Sequence, residues 1–246
     1  MSPDMVLITG ASSDIGLTLA NRLITSGDAI VLAHYHSSPD RIERLAKSLA
    51  QSRIHPIPAD FTSIESVEAM IQQVIEKYGV PNKIIHLPAL KLRYERFTKF
   101  NLDHFNKDMT IQIGAAVAIL RRVLPSMIKM PRAKIVFVLS SVTRGVPPKF
   151  MSMYTTVKQA QLGLMRSLAS EYSSTGVCIN AVSPSMVDTR FLGDIPDLVK
   201  QMSMSAAPRG RIATPMDVVG AIEYLLSDAS DFITGIELPV TGGSVF

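Results

Sequence analysis

Tyr154 and Lys158 stand four residues apart in the stretch SMYTTVKQA. On a helix that spacing puts a phenol and an ammonium on one face. A carbonyl that receives a hydride becomes an alkoxide in need of a proton, and a phenol with an ordinary pKa near about 10 still holds one at neutral pH. A fixed cation beside the phenol is expected to acidify it, each unit of pKa being worth about 1.4 kcal/mol. The same spacing also occurs in ordinary structural pairs. It acquires chemical meaning only if the rest of the chain supplies a site for a hydride carrier.

VLITGASSDIG offers such a site, joining a short apolar run to an amphipathic one. Gly10 permits a sharp turn and Gly16 a close helix–strand approach, while N–H groups at the helix start face a diphosphate. After the second strand, enzymes that use NAD place an acid that accepts bonds from the adenosine ribose hydroxyls. Here AHYHSSPD puts His34 there, followed by Tyr35, His36, Ser37 and Ser38. The missing acid, with imidazole and hydroxyl donors in its place, favours NADPH (NADP+) over NADH. His34 and His36 lie on one strand face without an evident third ligand, so no metal is expected.

Seven short apolar runs alternate with amphipathic ones. MVLITG, AIVLAHY, IHPIPAD, KIIHLPA, KIVFVLSS, VCINAVSP and IELPVTGG read as strands. IGLTLANRLITSG, DRIERLAKSLAQS and SIESVEAMIQQVIEKYG read as helices, the third closed by Gly79 as a C-cap. IGAAVAILRRVLPSM, apolar nearly all round, is expected to be buried between neighbours. The alternation predicts an α/β, doubly wound Rossmann fold: a seven-stranded, mostly parallel sheet with helices on both faces. Residues 1–246 read as a single domain, with no internal repeat or linker. Residues 186–214, rich in Met, Gly and Pro, break the rhythm and suggest a substrate lid.

The chain has 246 residues, 47% of them hydrophobic, enough for a substantial core. Its net charge of +4 is spread without a cluster of five basic residues. That distribution speaks against a nucleic-acid partner and suits an anionic cofactor or an acidic carrier. The single cysteine, Cys178, excludes an intrachain disulfide and suggests a reducing compartment. With no signal-like N-terminus or membrane-length apolar run, a cytoplasmic protein without a membrane partner is expected.

TGASSDIG, with the landmarks that follow it to about residue 244, resembles the short-chain dehydrogenase/reductase family. The C-terminal run PRGRIATPMDVVGAIEYLLSDASDFITGIELPVTGG is similar to the ketoreductase branch that includes 3-oxoacyl-carrier-protein reductases. The resemblance implies an oxidoreductase acting on a small-molecule or carrier-bound carbonyl, assembled as a homo-oligomer, dimer or tetramer. It implies Ser141, thirteen residues before Tyr154, as the group that binds the substrate oxygen, and Gln112 in the place of an Asn that supports a proton relay to Lys158. For the cofactor it implies Gly10, Ser12, Ser13, Asp14, Ile15 and Gly16 at the phosphates. It adds Asp60 and Phe61 beside the adenine, although Asp60 could instead cap the next helix. It also implies Leu87, Pro88 and Ala89 along the ribose, and Pro184, Ser185, Val187 and Thr189 around the nicotinamide.

Val146, Phe150, Met151, Met186 and Phe191 are expected to line an apolar substrate pocket, with Lys149, Arg190 and Arg209 available to a phosphopantetheine arm. His86 is expected in the core. Four positions depart from the family pattern: Asp14 and Ser185 stand where Gly is usual, Leu87-Pro88 replaces an Asn pair, and Gln112 replaces Asn. These departures leave open a second reading, a dinucleotide-binding sensor or scaffold without turnover.

Overall fold

The computed structural model describes residues 3–48, 53–193 and 195–246. The strands are β1 (Met5–Thr9), β2 (Ile30–Tyr35), β3 (Ile54–Pro58), β4 (Lys83–His86), β5 (Ala133–Val138), β6 (Val177–Pro184) and β7 (Glu237–Val240). They alternate with α1 (Asp14–Ser26), α2 (Pro39–Ser48), α3 (Ile64–Tyr78), α4 (Leu102–Met109), α5 (Ala115–Met127), α6 (Ser152–Glu171), α7 (Asp197–Ala206) and α8 (Pro215–Leu226). The expected end of α2, residues 49–52, lies outside the described residues.

The sheet runs β3-β2-β1-β4-β5-β6-β7, and every pair is parallel. The chain builds outward from β1 to β3 and then returns to the other side of β1 for β4. Between β1 and β4 the connections therefore diverge, leaving a crevice at the strand ends where a ligand can sit. Apolar side chains of both strand faces are buried in two cores. Ile71, Ile119 and Met165 from α3, α5 and α6 cover one face, while Leu19 and Ile222 from α1 and α8 cover the other.

Local signals in the sequence set the helix ends. Ser63 caps α3 by accepting from Ser66 N–H, and Gly79, at φ +96°, returns its N–H to the Ile75 carbonyl. Thr214 and Asp217 form a reciprocal capping box on α8, with Pro215 in its first turn. Between α4 and α5 the ladder widens into a π-helical turn over Thr110–Gly114. Among the described residues no helix is long and apolar enough to cross a membrane.

Candidate active site

A cleft of about 1240 Å³ runs along the carboxyl ends of the strands, from the turn after β1 to the start of α6. At its first end Gly10 takes φ +72°, and a Cβ there would come within 3.2 Å of the Pro88 backbone nitrogen. A Cβ on Gly16 would lie 2.7 Å from Ala11 Cα, so α1 packs on the turn at a distance that excludes any larger residue. Ser13, not Asp14, caps α1, its oxygen accepting from Gly16 N–H at 3.1 Å.

Asp14 has another role. One of its carboxylate oxygens meets Arg41 of α2 at 2.6 Å. The other accepts the Arg190 backbone N–H at 2.8 Å, with the Arg190 guanidinium at 3.5 Å from the first. Both arginines also donate to the Ser12 carbonyl. The negative charge at this turn is thus offset by two cations. Arg190, which could have served a carrier arm or simply lain on the surface, lines the cleft and binds this turn.

His34 corrects a second expectation. It is 3% exposed and stacked on Phe61 with ring centroids 3.9 Å apart. The Gly10 N–H donates to its Nδ1 at 3.0 Å, so Nε2 carries the proton and donates to the Ala59 carbonyl at 3.2 Å. Burial lowers its pKa to about 4. A neutral imidazole with both nitrogens committed is a brace for the glycine turn, and leaves no donor for a 2′-phosphate and no lone pair for a metal. Tyr35 packs against the second core and Ser37 lies off the cleft. His36, like His34, lines the cleft, and it lies 3.6 Å from Asp60. Asp60 holds its own turn by accepting from the Thr62 N–H and hydroxyl, which lowers its pKa. The capping role considered for it belongs to Ser63.

At the other end, Tyr154 and Lys158 share a face of α6 and both reach the cleft, the ammonium 5.8 Å from the phenol ring centroid. Ser140 and Ser141, fourteen and thirteen residues earlier, both line the cleft with the phenol, and of the two it is Ser140 that acts to lower the phenol's pKa. Ser140 ends the extended run after β5 and caps the 3-10 turn Ser141–Thr143. Ser141, inside that turn, lines the cleft beside it.

The expected acidification of the phenol is not present. Burial raises Tyr154 to about 12, outweighing the influence of Ser140 that pulls it down, and Asp108 and Tyr94 push it further up. Without a cofactor the group is a protonated acid. Burial lowers Lys158 to about 8, opposed by the charge of Asp108. The Lys158 ammonium donates to the Val138 carbonyl at 3.0 Å and to Gln161 Oε1 at 2.9 Å.

Gln112 is fully buried and does not line the cleft. Its side-chain amide donates to Asp108 at 2.7 Å, and its Oε1 finds no partner. Its main-chain carbonyl, not its amide, faces the lysine network, accepting from Gln161 Nε2 at 3.2 Å and His86 Nε2 at 3.0 Å. His86 is buried in the core as expected, its ring edge against Phe137. Asp108 is a buried carboxylate that also accepts the Leu90 N–H at 3.2 Å.

Leu87, Pro88, Ala89, Pro184, Ser185, Val187 and Thr189 border the cleft between these ends, and Met151, Met186 and Phe191 line its outer part. Val146, 95% exposed, and Phe150 do not. Phe150 sits in the left-handed region at φ 66° and gives its carbonyl to Glu95 N–H, which turns its side chain's segment outward. Lys149 and Arg209 likewise lie off the cleft. The expected lid is pinned at its base by a Val187–Ala213 bridge, and Val199, Met202 and Ala206 of α7 face the cleft. Asp194 within it lies outside the described residues.

Sequence reasoning missed Asp108, Arg41, Ser140 and Gln161. The last carried a signal, since Tyr154, Lys158 and Gln161 recur at the i, i+4, i+7 positions of one helical face.

Comparison with known proteins yields a consistent picture. The family model described as enoyl-(acyl carrier protein) reductase matches residues 10–244. An acetoacetyl-CoA reductase of Allochromatium vinosum is 26% identical over 242 residues, 97% of each chain. A candidate NAD(P)-dependent gluconate 5-dehydrogenase from Beutenbergia cavernae, solved with NADP at low occupancy, superposes with a TM-score of 0.90. It is 25% identical, covering 99% of this chain and 97% of its own. A 3-ketoacyl-(acyl-carrier-protein) reductase from Brucella melitensis, solved with NADH, gives a TM-score of 0.89. At 21% identity, over 99% and 98% of the two chains, it bears on the fold.

Proposed function

The chain belongs to the short-chain dehydrogenase/reductase family, and from that premise we propose that it is an NADPH-preferring reductase of an apolar carbonyl substrate. The observation that carries this reading is the phenol of Tyr154, with Ser140 and Ser141 beside it on the cleft and Lys158 one helical turn away, at one end of a cleft whose other end is the Gly10–Gly16 turn.

The residues present fit a dinucleotide. Substituents on Gly10 or Gly16 would close the turn, and the first N–H groups of α1 suit a diphosphate. Of the residues lining the cleft, Ser12, Ser13 and Ile15 would meet the diphosphate, Asp60 and Phe61 the adenosine, and Pro184, Ser185, Val187 and Thr189 the nicotinamide. A dinucleotide held there would supply the hydride for the carbonyl carbon. Tyr154, protonated at neutral pH, donates its proton to the carbonyl oxygen as charge develops there. The Ser140 hydroxyl, which lines the cleft beside the phenol, binds that same carbonyl oxygen. Lys158 keeps a positive charge beneath the pair, and Ser141 lies close enough to assist in substrate contact. Gln112 acts through its carbonyl, holding the side chains that hold Lys158.

Support for NADPH lies in His34 standing where NAD enzymes place an acid and in the His36 imidazole and the Arg41 guanidinium near that edge. A 3-oxoacyl thioester is the first substrate to test, because Met151, Met186, Phe191 and Met202 offer an apolar channel beyond Tyr154. Exposed Tyr224, Phe232 and Phe246 favour self-association.

The deciding experiment is NADPH oxidation with a panel of β-keto thioesters, diketones and keto sugars. At least one should be reduced, faster with NADPH than with NADH, and Tyr154→Phe should lower kcat by on the order of a thousand-fold. Turnover that survives Tyr154→Phe would remove the mechanism.

A further inference from the structure

Lys158 is 2% exposed, and an ammonium at that depth needs acceptors. Val138 O supplies one and Gln161 Oε1 the other. Gln161 is itself fully buried, and chemistry sets its orientation. Its oxygen meets the ammonium and its nitrogen donates to the Gln112 carbonyl. The flipped amide would set donor against donor at one end and acceptor against acceptor at the other.

The Gln112 carbonyl takes its second bond from His86. Burial lowers His86 to about 3, so the neutral ring carries one proton, on Nε2. Its Nδ1 then accepts from the Thr9 hydroxyl at 2.9 Å. Both lone pairs of the Gln112 carbonyl are in use. A braced chain thus runs from Thr9 in β1 through His86 and Gln112 to Gln161 and Lys158.

We infer that Gln161 is a positioning residue: its amide, braced by the Gln112 carbonyl, fixes where the Lys158 ammonium sits and how firmly it stays charged. The inference rests on the reductase reading for the role of Lys158. The titratable groups facing Lys158 are Tyr154 on its own helix, Asp108 of α4 and His86 of β4. Asp108 favours the cation and His86 is neutral, while β5 presents the uncharged Val138 carbonyl. Against that background the Gln161 oxygen is a contact that favours the charged lysine and can be changed by itself.

Gln161→Met keeps the length and removes the acceptor, whereas Gln161→Glu replaces it with a charge. In cofactor-free protein labelled with 13C-lysine, the Lys158 resonance is assigned with Lys158→Arg and titrated by NMR. Its midpoint should fall by about one pH unit in the Met variant and rise by a similar amount in the Glu variant. Midpoints that agree within a few tenths in all three proteins overturn the inference. In carbonyl reduction the high-pH limb of kcat should move in the same two directions, with KM for the carbonyl within about two-fold of wild type. A uniform fall in kcat with an unmoved limb marks a packing role and also overturns it. If wild type reduces no carbonyl, the reductase reading fails and the titration still decides the placement of the charge. If one variant does not fold by circular dichroism, the other carries the same decision.

Discussion

At the phosphate end of the cleft, charge meets charge in half-open positions. Asp14 is gripped by Arg41 and Arg190, and the Arg190 side chain is 64% exposed. At the chemical end a cation is sealed in and held by neutral groups, the Val138 carbonyl and the Gln161 amide. Ion pairs open to water are screened and contribute little, whereas a buried charge carries a desolvation cost that every neighbour modulates. The two ends should therefore differ in the size of mutational effects and in their dependence on salt and pH.

The largest effect separates two adjacent hydroxyls at the chemical end. Ser140 is the hydroxyl that pulls the phenol's pKa down and Ser141 lies in the following turn, so Ser140→Ala should lower kcat by about a hundred- to a thousand-fold. Ser141→Ala should cost far less. The reverse ranking in steady-state kinetics would return the role to the residue that the family spacing indicates.

The buried ammonium gives the next effect, read as stability. Lys158 titrates at about 8 in the fold, below its ordinary 10.5. Between those values the unfolded chain binds more protons, so stability rises with pH across that window, and the cost of the buried charge is fully present below it. Relative to Lys158→Met, wild type should gain on the order of 3 kcal/mol from pH 8 to 10.5. Urea unfolding at a series of pH values measures this, and a constant difference would mean that the ammonium is not destabilised by burial.

What was legible in the chain follows the same division between local and distant causes. The strand–helix alternation, the Gly79 cap and the Tyr154–Lys158 pair are local in sequence, and each appears in the structure. Ser140 went unremarked because the borrowed spacing points to its neighbour Ser141, while both line the cleft, ahead of a loop in which Gly145 and Phe150 turn in the left-handed region. Val146 and Phe150 look like pocket residues by composition, yet apolar character does not tell which way a loop faces. Arg41 and Asp14 lie 27 residues apart, and Gln161 and Gln112 lie 49 apart. No periodicity reports such pairings.

His34 sharpens the comparison at a third level, since it is buried but belongs to the phosphate end. His34→Asp inserts the acid that NAD enzymes carry there, yet a carboxylate cannot donate to the Ala59 carbonyl as the imidazole does. The variant should lose about 1–3 kcal/mol of stability in denaturant titrations and should not acquire a preference for NADH. A stable, NADH-preferring variant would show that the position acts directly on the ribose.

Asp14→Asn should give the smallest change, with the clearest salt signature. The substitution leaves two guanidinium groups beside the diphosphate position without their anionic partner. Cofactor affinity, read by fluorescence titration, should therefore tighten a few-fold at low ionic strength. Stability should fall by no more than about 1 kcal/mol, because the pairs involve a largely exposed Arg190 and a partly exposed Arg41. At about 0.5 M salt, where screening acts over only a few ångströms, the gain in affinity should nearly vanish. If binding weakens instead, the carboxylate matters as the tether of Arg190 and the base of the lid, and the phosphate end would share the rigidity of the chemical end.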